Sequence, residues 1–209
     1  MPPESEWNKI VRDAIHQREQ SVWRAQCLSK DKPRTYCKLK PVLSMEPLLD
    51  TNHRGGIPEL VKLRGGTNRS RIEKGRYNKE ALEERVCVFC DLREVESEQH
   101  FMLRCKAYTL EREEMWRAYE HITQSSRNDL ASEDEQMRAL LGDTHQANEE
   151  ADKDSIQYKL YQNLIKEVMK YTTTAMRKRR RSEEKAESAM SLRGGAVYSA
   201  YRPTAAQRE

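Results

Sequence analysis

Four residues in one short stretch restrict this chain more than anything else in it. Cys87, Cys90, His100 and Cys105 stand at C-x2-C-x9-H-x4-C within CVFCDLREVESEQHFMLRC. A two-residue spacer lets Cys87 and Cys90 grip one ion from a tight knuckle, and a four-residue spacer suits a second ligand pair. Nine residues between the pairs are enough to reverse the chain and bring them together. Zn²⁺ takes such Cys3His sets tetrahedrally, and four protein ligands leave no position for a reacting water, so the expectation is a structural Zn²⁺. Such an ion can supply on the order of 10 kcal/mol to a segment with little core of its own. That matters in a chain of 209 residues with 36% hydrophobic and 34% charged side chains, which cannot build a large dry core. Cys27 and Cys37 have no His nearby and read as half-buried structural thiols.

The rest of the pattern is helical. Trp7, Ile10, Val11, Ala14, Ile15, Val22 and Ala25 recur at helical steps from about Glu4 to Leu28. Lys32-Pro33 ends that run, and Thr35 to Lys40 restarts it briefly. Pro58 fits the first turn of a short helix to Leu63, closed by Gly65-Gly66. Thr67 is expected to cap a second short helix to Lys74, stopped by Gly75. A further helix is expected over Leu110 to Ile122, and Ser132-Glu133-Asp134-Glu135 opens another through Leu141. Gln146 to Asp152 reads as a polar linker. The clearest helix carries Ile156, Leu160, Tyr161, Leu164, Ile165, Val168, Met169 and Met176 on one face and runs into Arg177-Lys178-Arg179-Arg180-Arg181. Past Ser182 periodicity fades and disorder is expected. The fold class is therefore mainly α: short helices around a small zinc knuckle, a long amphipathic C-terminal helix and a disordered tail. The expected division is an N-terminal helical region (1–56), a zinc module (57–124), C-terminal helices (125–181) and the tail (182–209).

A net charge of +4 is modest, so charge matters here through where it sits. Lys62 to Lys79 holds seven basic residues against Glu73 alone, while the stretch Asp91 to Glu120 is acidic. Lys62, Arg64, Arg69, Arg71, Lys74 and Arg76 are candidates for phosphate contacts, or else internal ion-pair partners of the loop around Glu94, Glu96 and Glu98. Phe89 and Phe101 flank the ligands and suit core packing better than base stacking. Arg177 to Arg181 fits either a nuclear import signal or a basic helix end favoured by the macrodipole. Mean hydropathy is −0.99 and no apolar stretch is long enough for a membrane span, nor does MPPESEW read as a secretory leader. His16, His121 and His145 lack partners at catalytic spacing, and no phosphate loop or nucleophile elbow occurs, so an enzyme is not expected.

One stretch resembles a known family. Leu63, Arg64, Gly66, Arg69, Ile72, Glu73, Gly75, Arg76 and Tyr77, followed by Cys87, Cys90, His100, Phe101, Cys105 and Tyr108, are similar in order and spacing to the zinc-binding segment of non-LTR retrotransposon reverse transcriptase polyproteins. The similarity covers about Trp23 to Trp116. The polymerase of those polyproteins, with its catalytic aspartates, has no counterpart in this sequence, so polymerase activity does not carry over. The resemblance implies a nucleic-acid-contacting accessory. Three readings follow: a retroelement-derived zinc module binding RNA or single-stranded DNA through the basic run; a zinc-braced scaffold whose Ile156–Met176 face docks on a partner helix; or a decayed remnant without selected function. No small-molecule substrate is expected.

Overall fold

The computed structural model describes residues 3–30, 34–40, 42–44, 46–142 and 155–192. Over these the chain forms α1 (Glu4–Leu28), α2 (Arg34–Leu39), α3 (Ile57–Arg64), α4 (Arg71–Tyr77), α5 (Thr109–Thr123), α6 (Glu133–Leu141) and α7 (Ile156–Leu192). Short 3₁₀ turns link them, and the sole β feature among the described residues is an antiparallel bridge between Val86 and Val95. The mainly α expectation holds. No helix among the described residues is long and apolar enough to cross a membrane.

The organising element is α7. Tyr161, Leu164, Ile165, Val168, Met169, Ala175 and Met176 fall at three- and four-residue steps and are all buried. They pack on Met115, Trp116 and Tyr119 of α5 and on Leu60 and Leu63 of α3, with Leu140 and Leu141 of α6 in the same core. Each buried Leu, Ile, Val or Met among them contributes about 1.5–3 kcal/mol by leaving water. The face expected to dock on a partner helix is thus covered by the chain's own helices; only its first turn, at Ile156 and Leu160, stays exposed.

Two helix ends differ from the sequence expectation. The second short helix begins after Ser70 and continues through Gly75 to Tyr77. Gly75 is not a stop: its missing side chain admits Arg85, whose Cγ would lie 2.5 Å from a Cβ there. At the other end, α7 runs past Ser182 to Leu192. Glu183, Glu184, Lys185, Ala186 and Ala189 are good helix formers, and propensity carries the helix where no apolar face remains. The expected linker at Gln146 to Asp152, His145 and the tail beyond 192 lie outside the described residues. α6 starts as expected: the Ser132 hydroxyl accepts the Glu135 N–H at 3.2 Å.

α1 differs from the other helices in burying none of its residues. It meets α2 at its C-terminal end, where Trp23 lies edge-on to Tyr36 at 6.3 Å, and the Leu43 N–H donates to Gln20 Oε1 at 2.6 Å. Cys27 and Cys37 are half-buried there, and burial together with the neighbouring Cys27 thiol pushes the Cys37 thiol up to about 11.

α7 passes very close to the 3₁₀ turn Arg54–Gly56. A Cβ on Gly56 would lie 2.5 Å from Met169 Cβ, which is anchored in the core and cannot swing aside. Gly56→Ala should therefore destabilise the protein by about 1–3 kcal/mol through overpacking. Thermal denaturation checks this, and a melting temperature equal to that of the parent would show that α7 and the turn are not packed so tightly.

Candidate metal centre

The knuckle is built from the bridge outward. Next to Val86 and Val95, the Cys87 N–H donates to the Glu94 carbonyl at 2.9 Å and the Glu96 N–H to the Arg85 carbonyl at 3.0 Å. This pairing closes a loop holding Cys87 and Cys90, with Arg93 at φ 54° turning the chain back. The second ligand pair lies on one π-helical turn, His100–Arg104, in which the Cys105 N–H reaches the His100 carbonyl at 2.8 Å. An i→i+5 turn accommodates one more residue than an α turn, so side chains five apart come to the same side. The four-residue spacer in the sequence is this turn.

The donor atoms of Cys87, Cys90, His100 and Cys105 all lie within 4.8 Å of one another, close enough to hold a metal ion. Cys87 Sγ and Cys105 Sγ are 3.8 Å apart, and Cys90 Sγ is 3.5 Å from His100 Nε2. With metal–sulfur bonds of about 2.3 Å and metal–nitrogen bonds of about 2.0 Å, a tetrahedron has edges of about 3.8 Å and 3.5 Å. These two separations match those edges. His100 and Cys105 are fully buried, Cys87 nearly so, and Cys90 half-buried.

Surrounding groups orient the ligands. His100 Nδ1 is bonded to Glu94 Oε2 at 2.9 Å, which aims Nε2 at the sulfurs, and Arg104 Nε holds the same oxygen at 3.0 Å. Burial pulls the His100 pKa down, but the Cys87 thiol and Glu94 carboxylate push it above its ordinary value. The Cys87 thiol is pushed up to about 12 by its hydrogen bond with Cys105 and by burial. Arg112 of α5 donates to the Cys105 carbonyl at 2.9 Å, and the Tyr171 hydroxyl of α7 donates to the Phe101 carbonyl at 2.7 Å. Phe101 is core, edge-on to Tyr108 at 5.1 Å.

Beneath the knuckle lies the least exposed ion pair described. Glu96 and Arg179 are both about 1% exposed; Arg179 Nη1 pairs with Glu96 Oε1 and Nη2 with Oε2 at 3.1 Å. The guanidinium also lies 4.5 Å over the Phe89 ring. Burial disfavours the charge, yet Glu96 keeps the Arg179 pKa above its ordinary value. The same carboxylate accepts the Arg71 N–H at 2.6 Å, capping α4 from outside the helix. Arg179 belongs to the basic pentad expected either as an import signal or as a helix end. It is not a helix end: α7 continues past it to Leu192, and Lys178 is paired with Glu111 at 2.9 Å.

The six basic candidates separate in the fold. Arg64 is buried, its Nη1 2.9 Å from Glu46 Oε2, and Lys40 Nζ holds the other carboxylate oxygen at 2.9 Å. Although burial opposes it, Arg64, Tyr36 and Lys40 hold the Glu46 pKa below the usual range. Along α4, Arg71 meets Glu80 at 2.7 Å, Lys74 meets Glu183 at 2.6 Å, and Arg76 grips Glu73 with two bonds of 3.0 Å. Lys62 is exposed, with Glu59 at 3.7 Å. Arg69 is exposed and has no side-chain partner among the described residues. Side chains of the run therefore pair with carboxylates other than Glu94, Glu96 and Glu98. Glu98 accepts instead from Thr35 at 3.2 Å. Periodicity and spacing missed Glu96 and Arg179, whose 83-residue separation leaves no local signal.

No protein-family model matches the chain, and no curated protein or solved structure is similar enough to count as a match.

Two outcomes test this centre. Metal analysis of reduced protein should give close to one equivalent, falling sharply in Cys90→Ser and Cys105→Ser and unchanged in Cys27→Ser and Cys37→Ser. Each thiol that becomes a ligand releases a proton, so affinity in chelator competition should rise with pH across the neutral range. Separately, Arg179→Met should cost about 3–5 kcal/mol by stranding Glu96, and adding Glu96→Gln should recover part of that loss. Equal denaturation midpoints for single and double variants would mean that the pair does not act as a unit.

Proposed function

We propose that the chain is a zinc-binding accessory module of the kind it resembles in retroelement reverse transcriptases, and that it binds RNA or single-stranded DNA. For zinc, the support is the donor set and its close spacing: three sulfurs and one imidazole favour Zn²⁺ over oxygen-preferring ions, and four protein donors make the role structural. For the resemblance, the support is that its residues form one folded unit. Leu63, Arg64, Gly66, Ile72, Glu73, Gly75, Phe101 and Tyr108 are all buried, and Leu63, Phe101 and Tyr108 share one core with Cys87 and Cys105.

The observation that carries the nucleic-acid reading is a set of exposed arginines. Arg69, Arg177, Arg180 and Arg181 are exposed, and none has a carboxylate partner among the described residues. A cation already held by a carboxylate must give up that pair to meet a phosphate, whereas these four need not. The interface is therefore assigned to exposed cations, with Lys62 among them, and not to Arg64 or the α4 side chains. Of the basic pentad, Arg177, Arg180 and Arg181 serve this surface, while Arg179 and Lys178 are held by Glu96 and Glu111.

The scaffold reading keeps one specific support. α1 leaves Trp7, Ile10, Val11, Ile15 and Val22 between 37% and 56% exposed along one helix. A partner of that kind would bind α1 with little sensitivity to salt.

The metal-loaded chain should bind single-stranded RNA or DNA with an affinity that falls linearly on a log–log plot as salt rises, with a slope of about 0.7 per phosphate bound. A fluorescence-anisotropy titration at several salt concentrations measures it. No binding at low salt removes the nucleic-acid reading.

A further inference from the structure

Between α3 and α7 lies a small cleft lined by Glu59, Lys62, Arg69, Met176, Arg179 and Arg180. We infer that this cleft seats one backbone phosphate of the bound single strand, held by Lys62 and Arg69 from one side and Arg180 from the other. The inference rests on the nucleic-acid reading above and names the place where that strand is gripped.

The cleft draws on chain segments more than a hundred residues apart. Lys62 stands one turn after Glu59 on α3, and Arg69 follows in the connection to α4. Met176, Arg179 and Arg180 fall at i, i+3 and i+4, so they share one face of α7. Met176 is buried and forms an apolar wall, while Arg180 and Arg69 are exposed. The cavity is about 70 Å³. That is far below the roughly 300 Å³ of a small-molecule pocket, yet it has room for a group of phosphate size projecting from a longer chain.

Three further observations point to an anion. Lys62, Arg69 and Arg180 are set against a single carboxylate, Glu59, and that carboxylate is 3.7 Å from Lys62, a loose pair. Arg69 and Arg180 have no partner of their own among the described residues. At the inner end, Arg179 is 1% exposed, and its Nε makes no hydrogen bond among the described residues, with Glu183 standing off at 3.4 Å. Because Glu96 holds the rest of that guanidinium, the cleft wall is fixed by the knuckle. A phosphate entering would meet positive charge on a surface that needs no rearrangement, and the bases would remain outside, unread.

The test uses the full, metal-loaded chain and a single-stranded oligouridylate, titrated by anisotropy across a range of salt. Two variants are compared with the parent: Arg69→Ala/Arg180→Ala in the cleft, and Arg71→Ala/Arg76→Ala on α4. Metal content and circular dichroism confirm that each is folded. The cleft variant should bind several-fold more weakly, with a salt slope flattened by about 0.7 for each phosphate no longer held. The α4 variant should keep the parent's affinity and slope. If the parent binds and the cleft variant binds equally well, the cleft assignment is overturned while the nucleic-acid reading stands. Equal weakening in both variants would mean a diffuse positive field and would also overturn the cleft. A parent that does not bind at low salt removes both.

Discussion

A carboxylate with almost no access to water joins three parts of this protein that are distant in sequence. Glu96 leaves the knuckle hairpin, accepts the first N–H of α4 and takes both terminal nitrogens of Arg179 on α7. A buried charge is tolerable only while its partners stay in place, so the hairpin, α4 and α7 must hold their relative positions together. Two of the candidate metal ligands, Cys87 and Cys90, sit on the same hairpin, and His100 and Cys105 follow directly after it. With an ion bound, the loop carrying Glu96 is fixed, and with Glu96 fixed, Arg179 has a counter-charge worth burying. In this way a small metal knuckle with few apolar residues positions a helix of 37 residues.

Features legible in the sequence are those set by near neighbours. Cys87, Cys90, His100 and Cys105 are readable because their spacing is imposed by the chain itself. α1 and the buried part of α7 are readable from apolar steps, and the start of α6 from Ser132. What cannot be read depends on partners far along the chain. Arg64 looks like a surface cation until Glu46 is placed beside it, and Lys74 finds Glu183 at a separation of 109 residues. The basic run from Lys62 to Lys79 is continuous only as text. Folding divides it into cations that hold the structure together and a few that face solvent. Helix ends are hidden for a related reason: Gly75 is inside α4 because Arg85 occupies the space beside it, an arrangement without local signature.

That division also changes how charge should be counted here. The formal charge of +4 and the dense run near Lys62 suggest a broad positive stripe. Once the pairs are removed, what remains is narrower and draws on α7 as much as on the segment before the ligands. Neighbouring arginines on one helix can thus serve opposite purposes, as Arg179 and Arg180 do one residue apart: one is inside against Glu96, the other outside and unpaired among the described residues.

The π turn at His100–Arg104 bears on which length changes the centre could survive. A π turn is an α turn with one residue inserted. Removing one residue between His100 and Cys105 would let the segment relax to i→i+4 bonding, in which residues four apart still share a face, so the two ligands would stay on the same side. Within the interval between Cys90 and His100, the freedom lies at the turn before Glu94, where Asp91 and Arg93 are exposed. Variants of this pattern should therefore differ in loop length between the two ligand pairs, and between His and Cys they can exchange the five-residue π step for a four-residue α step without separating the ligands.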